Sequence, residues 1–178
     1  PKNKRQYDWV AQRTAADLAA FELARMGVAP GHTTVAIVDS GFDFQTRHSD
    51  MASPQLEVLC ETKAQCRYDD PNGHGTAVAS MIGARGFGVA PDVNLMIAPS
   101  GQASDDYGWT MSRDEQQSRI LTACHAGAEV VNVSYIGIAD KAGIFHTEEY
   151  DQKFIAQVNK LGWLIVHASG NHGFQKNV

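Results

Sequence analysis

Residues 33–41 read TTVAIVDSG, an apolar and largely β-branched run followed by an acidic residue and two small ones. A short continuous apolar run of this kind is typical of a strand buried on both faces of a parallel sheet. Ser40 and Gly41 permit a tight turn directly after Asp39. The stretch therefore predicts a buried strand that ends on a carboxylate.

Helical and strand-like patterns alternate on both sides of this strand. Thr14 and Asp17 form a T-x-x-D motif that predicts the start of a helix, which we expect to end at Gly27. This alternation implies βαβ crossovers, so the predicted fold class is α/β, a parallel β-sheet with helices on both faces. The other expected elements are a short strand at 56–60, a helix at 74–83, a strand at 93–98, a helix from Ser112 to Gly127, a strand at 129–134, a helix from Thr147 to Gly162 and a strand at 163–168.

The composition excludes several classes of protein. The 178 residues are 43% apolar and 20% charged, which is ordinary for a globular domain. A formal net charge of −5 offers no basic face of the kind that nucleic-acid binders use, so we expect no nucleic-acid partner. No apolar run reaches the ~18 residues that a bilayer crossing needs, so we expect no membrane span. Residues 1–12, which hold the only basic cluster, are predicted to be an N-terminal arm.

The three cysteines differ in their surroundings. Cys60 and Cys66 lie in the polar stretch CETKAQC and could close a small disulfide loop, whereas Cys124 falls in a helical pattern and is expected to be a buried thiol. A zinc site at Cys60 and Cys66 would need two further ligands, and none is obvious at a suitable spacing. An odd cysteine count is weak evidence for either a reducing or an oxidising compartment.

An α/β fold gathers its chemistry at the carboxyl ends of its strands, and Asp39, Ser134 and Asn171 lie at or just after predicted strand ends. Asp39 ends a strand, and Asn171 follows one in the stretch LIVHASGNHG. His74 is flanked by Gly73 and Gly75 at the entry to a helix, so the backbone can bend closely around the imidazole. Each residue also has a purely structural interpretation: Asp and Asn are common in turns, and most histidines lie on the surface or are satisfied in the core.

The motifs occur in a specific order: VAIVDSGFD, NGHGTAVAS, GVAPDVNLMIA, AEVVNVSYI and LIVHASGNHG. From about Thr33 to Gly173, this series resembles the subtilase (subtilisin-like, S8) family of serine proteases. The segment HGTAVAS is the most specific match, and the ordered set is more specific than any single motif. The resemblance implies a subtilisin-like fold and hydrolysis of peptide bonds by an Asp-His-Ser triad.

The resemblance also implies a role for each matching residue. Asp39 would orient the imidazole, His74 would act as general base and acid, and Asn171 would donate to the oxyanion. One segment between Ala98 and Ser112 would pair with an extended substrate, with Gly108 and Trp109 as candidates. On the opposite side, the backbone of Ser134, Tyr135 and Ile136 would pair with the substrate and line its pockets, and Ala168, Ser169 and Gly170 would form another pocket wall.

Two departures from the family pattern affect the expected function. Ile136 stands where the family usually has glycine, which would narrow the substrate pocket. The family's nucleophile lies in G-T-S-M-A-x-P, and no G-T-S occurs in these 178 residues. We therefore expect residues 1–178 to be the N-terminal part of a single catalytic domain without the C-terminal strands and the serine-bearing helix. The serine would come from sequence beyond residue 178 or from another chain, and this chain alone would be inactive.

The expected partners are thus a polypeptide substrate and a complementary C-terminal fragment that carries the serine. No cofactor is required for the chemistry; a structural calcium is conceivable at Asp50, but one carboxylate is not a site. The resemblance implies a secreted or periplasmic location.

Two other functions have partial support in the sequence. The first is a non-catalytic subtilase-like module that binds peptide or a partner; the complete set of Asp39, His74 and Asn171 argues against it. The second is an α/β nucleotide binder, which rests on a glycine cluster at 83–88. The spacing of that cluster is not G-x-G-x-x-G, and the cluster follows a helix rather than a strand.

Overall fold

A parallel five-stranded sheet forms the centre of the protein in the computed structural model. The described residues are 13–28, 33–45, 51, 56–60, 66–85, 87–104, 108–135 and 152–168. The helices are α1 (Ala16–Arg25), α2 (His74–Gly83), α3 (Arg113–His125) and α4 (Gln152–Leu161). The strands are β1 (Thr34–Asp39), β2 (Leu56–Val58), β3 (Asn94–Pro99), β4 (Gln102–Ser104), β5 (Gly108–Thr110), β6 (Val130–Val133) and β7 (Leu164–His167).

Strand β1 lies in the middle of the sheet, whose order is β2-β3-β1-β6-β7. It pairs in parallel with β3 from Thr34 opposite Asn94 to Asp39 opposite Pro99, and with β6 on its other side. Five of its six residues are buried, as the apolar run predicts. Because the five strands are parallel, their carboxyl ends all lie at the same end of the sheet, here called its carboxyl edge. Asp39, the last residue of β1, lies there.

Helices cover both faces of the sheet, which confirms the predicted α/β class. Alternate side chains of β1 point to opposite faces. Val35 and Ile37 pack in one cluster with Ala79 of α2. Ala36 and Val38 belong to the cluster on the other face, to which α3 and α4 contribute. The buried helical side chains on that face are Ile120, Ala123, Cys124, Phe154 and Val158.

The predicted start of α3 agrees with the structure, whereas the predicted start of α1 does not. Ser112 caps α3, and its hydroxyl accepts a hydrogen bond from the Glu115 amide at 3.2 Å, as predicted. The predicted start of α1 at Thr14 was wrong, because α1 begins at Ala16 after Ala15 adopts a left-handed backbone with φ of 54°.

One feature was predicted only in part: the resemblance implied an extended segment between Ala98 and Ser112, but not that this stretch forms a hairpin. Strands β4 and β5 form an antiparallel hairpin directly after β3, with Gln102 opposite Thr110. Each strand has only three residues, too few to give a recognisable alternation of apolar and polar side chains.

The cysteines behave as their sequence context suggests. Cys60 and Cys66 form a disulfide, and Cys124 is a free, buried thiol. Burial raises the pKa of the Cys124 thiol to about 11, because a thiolate is poorly solvated among apolar groups.

Candidate active site

The carboxylate of Asp39 is buried at the carboxyl edge of the sheet, where only 4% of the residue is exposed. Its Oδ1 accepts the backbone N–H of Ser40 at 2.7 Å and faces Nδ1 of His74 at 2.8 Å. Its Oδ2 is buried and has no hydrogen-bond donor among the described residues. Burial of a carboxylate costs free energy unless the group is hydrogen-bonded, so the contact with His74 offsets part of the cost of burying Asp39.

His74 is the first residue of α2, and its side chain is 51% exposed. An ionised carboxylate can only accept hydrogen bonds, so Nδ1 is the donor in the 2.8 Å contact with Asp39. This contact selects the tautomer that leaves Nε2 as the acceptor. The two residues therefore form an oriented acid–base pair with one partner buried and the other open to solvent.

Asp70 joins the turn after β1 to the first turn of α2. Its Oδ1 accepts from the Ser40 hydroxyl at 2.7 Å and from the Gly73 amide at 2.9 Å. Its Oδ2 accepts from the amide and the hydroxyl of Thr76 at 2.7 and 2.6 Å. Burial by itself would raise the pKa of Asp70, but the hydrogen bonds from Thr76, Ser40 and Gly73 outweigh it and lower the pKa.

Further contacts bring the turn and the helix close together. The Ser40 hydroxyl accepts from the Gly75 amide at 2.9 Å, and the Asp43 amide donates to the Thr76 hydroxyl at 3.0 Å. A Cβ on Gly75 would collide with the backbone of Gly41. Both the hydrogen bonds and the missing side chain at Gly75 are therefore needed to set His74 against Asp39.

The family profile described as "Subtilase family" matches residues 31–178. The chain belongs to the subtilase family. Solved structures of proteases agree with that assignment. A lanthipeptide protease superposes with a TM-score of 0.66 and 25% identity over 97% of this chain. The protease domain of PatA gives a TM-score of 0.58 and 27% identity over 81%.

A cold-adapted subtilisin-like serine proteinase has the same fold, with a TM-score of 0.57 and 22% identity over 78% of this chain. The matches cover 48%, 52% and 46% of these three proteins, so this subtilase chain spans about half their length. A search of curated proteins found no match.

The structure brings two of the three predicted catalytic residues of this subtilase together. Asp39 and His74 are paired, whereas Asn171 lies outside the described residues. Ser134 follows β6, where its hydroxyl accepts from the Asn132 side-chain amide at 2.8 Å. Ala168 follows β7, and its amide donates to the Val133 carbonyl at 3.0 Å.

Tyr135, a predicted substrate-binding residue, is held in place by contacts of both its ring and its hydroxyl with the rest of the protein. Its ring packs against the core, and its hydroxyl accepts the Met111 amide at 3.3 Å. Burial raises the pKa of the Tyr135 hydroxyl, although the Met111 hydrogen bond opposes this. Three other predicted substrate-binding residues, Ile136, Ser169 and Gly170, lie outside the described residues.

Sequence reasoning did not identify Asp70 as part of the site. The available signal was its position four residues before His74, next to a predicted helix start, where acidic side chains commonly satisfy free amides. That signal predicts a helix cap, but it does not reveal that the same carboxylate binds Ser40 on a different element.

Metal binding has no support from this geometry. Within the described ranges, no group of three or more His, Cys, Asp or Glu side chains could hold a metal ion. Asp50, the residue considered for calcium, lies outside those ranges. In the same ranges, no helix combines the length and the hydropathy that a membrane crossing requires.

Proposed function

We propose that the protein is a serine endopeptidase that hydrolyses peptide bonds through an Asp-His-Ser triad, of which this chain supplies Asp39 and His74. The single observation that carries the proposal is the 2.8 Å contact between the buried Asp39 carboxylate and Nδ1 of the half-exposed His74. That contact leaves Nε2 free to act as a base at the carboxyl edge of the sheet.

In the proposed reaction, Nε2 of His74 takes the proton of a serine hydroxyl as the hydroxyl attacks the substrate carbonyl. His74 then returns the proton to the leaving amine. Asp39 stabilises the imidazolium between the two steps. Asn171, which follows β7 in sequence, is proposed to donate its amide to the oxyanion.

We propose that the serine comes from sequence beyond residue 178 or from another chain, and that it enters with a segment that extends the sheet from β7. Strand β7 is the last strand of the described sheet, and it exposes Leu164 and Val166 by 57% and 47%. An exposed apolar edge of this kind is a site for further strand pairing. The length of the matched proteases is consistent with such a segment.

The proposed substrate is an extended polypeptide held by main-chain pairing, which gives affinity with little sequence preference. The hairpin β4–β5 and the segment after β6 are the proposed walls of the groove. The solved relatives are described as a lanthipeptide protease and as the prenylagaramide maturation protease PagA, which supports a peptide substrate. No cofactor is proposed for this chemistry.

A secreted or periplasmic location is also proposed. The Cys60–Cys66 disulfide supports it, because disulfides persist mainly in oxidising compartments.

The test is fluorophosphonate labelling of the complete assembly that contains this chain and the serine-bearing segment. We expect His74→Ala to reduce labelling and kcat/KM by at least about 100-fold, the usual contribution of a general base. His125→Ala is the matched control, because His125 is exposed at the far end of α3 and should leave both unchanged. Full labelling of His74→Ala would contradict the proposed base. An unlabelled wild-type assembly that still binds peptide would favour the non-catalytic binding module.

A further inference from the structure

Arg67 contacts the backbone at the carboxyl ends of the two central strands. Its Nη2 donates to the Ser40 carbonyl at 2.7 Å, and two longer contacts of 3.4 Å join the guanidinium to the carbonyls of Ser100 and Gly101. Ser40 directly follows Asp39 at the end of β1, and Ser100 directly follows β3. One side chain therefore links the turn of the catalytic aspartate to the segment that leads into the hairpin β4–β5.

The same guanidinium also contacts the hairpin itself. Its central carbon lies 5.1 Å from the ring centroid of Trp109 in β5, within the range of a cation–π contact. The Trp109 indole N–H donates to the Ser100 carbonyl at 3.1 Å, so Arg67 and Trp109 meet at one acceptor. On the other side, the Glu115 carboxylate accepts the Gly101 amide at 2.8 Å, which ties the base of the hairpin to α3.

Arg67 is held by carbonyl dipoles and an aromatic ring rather than by a close ion pair. Its side chain is 28% exposed, and the nearest described carboxylate, that of Asp69, is 4.0 Å from Nε. Nε is buried without a hydrogen-bond acceptor in the described part of the chain. Charge-assisted hydrogen bonds are stronger than neutral ones, and the planar five-donor fork of arginine can reach separated carbonyls while it stacks on an aromatic ring, whereas the ammonium of lysine is a compact point charge.

The Cys60–Cys66 disulfide fixes the backbone from which Arg67 projects. Cys66 immediately precedes Arg67, and its partner Cys60 comes just after β2. The intervening Leu59 donates its amide to the Ile97 carbonyl of β3 at 2.7 Å. The disulfide therefore attaches the start of the Arg67 segment to the edge of the sheet.

We propose that Arg67 is a positioning residue that holds the hairpin β4–β5 against the turn carrying Asp39, with the Cys60–Cys66 disulfide holding Arg67 in place. The consequence for catalysis rests on the proposed function, in which the hairpin forms one wall of the substrate groove. Arg67 acts on the binding of extended substrates rather than on the reacting atoms. The Asp39 turn also has hydrogen bonds to Asp70 and Gly75 that do not involve Arg67, so we expect them to persist when Arg67 is replaced.

The first experiment measures amide hydrogen exchange on this chain and needs no catalytic activity. Arg67→Gln should lower the protection of the β4 and β5 amides about tenfold, while β1 and β3 stay protected. In Arg67→Lys, the protection of the β4 and β5 amides should lie between that of the wild type and that of Arg67→Gln. Lysine keeps a positive charge near Trp109 but lacks the planar guanidinium. The Cys60→Ser/Cys66→Ser double variant should also loosen the hairpin. Arg85→Gln, at an exposed arginine, is the matched control.

Unchanged protection of β4 and β5 in Arg67→Gln would overturn the proposal. If Arg67→Gln instead loses protection throughout the sheet, Arg67→Lys decides. Selective loosening of the hairpin in that variant supports the proposal, and uniform loosening overturns it.

The second experiment uses the complete assembly. In Arg67→Gln, we expect KM for an extended peptide to rise about tenfold while kcat stays within about twofold, the signature of lost binding common to ground and transition states. The fluorophosphonate labelling rate should not change. A fall in kcat with unchanged KM would overturn the positioning role in substrate binding. Absence of labelling in the wild type would refute the proposed function alone, since the exchange experiment stands without it.

Discussion

At the scale of single residues, Asp70 links the two segments that carry Asp39 and His74. It accepts four hydrogen bonds, one from the turn after β1 and three from the start of α2. These bonds favour its ionised form strongly enough to lower its pKa despite burial. The geometry of His74 and Asp39 thus depends on a second carboxylate, that of Asp70, which stays charged at neutral pH.

Replacement of Asp70 by asparagine should lower stability in a pH-dependent way. The folded-state pKa of Asp70 lies below its ordinary value of 3.8, so its stabilising contribution is present above pH 3.8 and is lost as the pH falls through the folded-state pKa. At pH 7 we expect Asp70→Asn to cost about 1–3 kcal/mol of unfolding free energy, because one acceptor oxygen becomes an amide that cannot accept. Urea unfolding at a series of pH values measures this difference.

The difference between Asp70→Asn and wild type should shrink as the pH falls below 3.8. Asp92→Asn is the control, since Asp92 is an exposed turn residue and its replacement should have little effect at any pH. If Asp70→Asn lowered the unfolding free energy by the same amount at every pH, the charge of the Asp70 carboxylate would not be what stabilises the turn.

Among the elements, helix α2 and the turn after β1 behave as one interlocked unit. Gly41 has a φ of 134°, a conformation that L side chains rarely adopt, and its backbone lies directly against Gly75. Because neither glycine has a side chain, the turn and the helix can approach closely enough for the hydrogen bonds of Ser40 and Asp70 to form. The position of His74 is consequently a property of the pair of elements rather than of α2 alone.

Gly75→Ala should destabilise the protein, although alanine is ordinarily the better helix former. The new Cβ would collide with the Gly41 backbone, and overpacking of this kind costs about 1–3 kcal/mol. Gly83→Ala is the comparison in the same helix: the nearest atoms to its Cβ belong to the Leu95 side chain rather than to backbone, so we expect a smaller loss of stability. Thermal unfolding by circular dichroism measures both. Equal or greater stability of Gly75→Ala would contradict the close approach of turn and helix.

For the whole molecule, the described sheet is well covered in its middle and ends in two edge strands, β2 and β7, of which β7 exposes apolar side chains. Strand β1 is flanked by two strands and by helices on both faces, whereas β7 has a neighbour only on the β6 side. Helix α1 likewise has no buried residue. The apolar surface on β7 is the type that other chains or segments can cover.

This chain by itself should associate through β7. We expect the double variant Leu164→Lys/Val166→Lys to reduce that association in sedimentation velocity, because charges on an exposed strand oppose pairing. Ile155→Lys is the control, since Ile155 is also an exposed apolar residue but lies on α4. An equal effect of Ile155→Lys would point to net charge rather than to β7. A complementary serine-bearing segment should replace the self-association by a defined complex.

The sequence by itself determined β1, the start of α3, the α/β class, the family and the choice of Asp39 and His74 as candidate site residues, because each depends on a short apolar run or a local motif. The tertiary structure decided the parts that join distant segments. Ser40 and Asp70 are 30 residues apart, and Arg67 and Ser100 are 33 apart. No local periodicity encodes such contacts, since they form only when crossover connections bring the strand ends to one edge of the sheet. The order of motifs therefore identified Asp39 and His74, and only the folded chain showed that Asp70 sets their geometry.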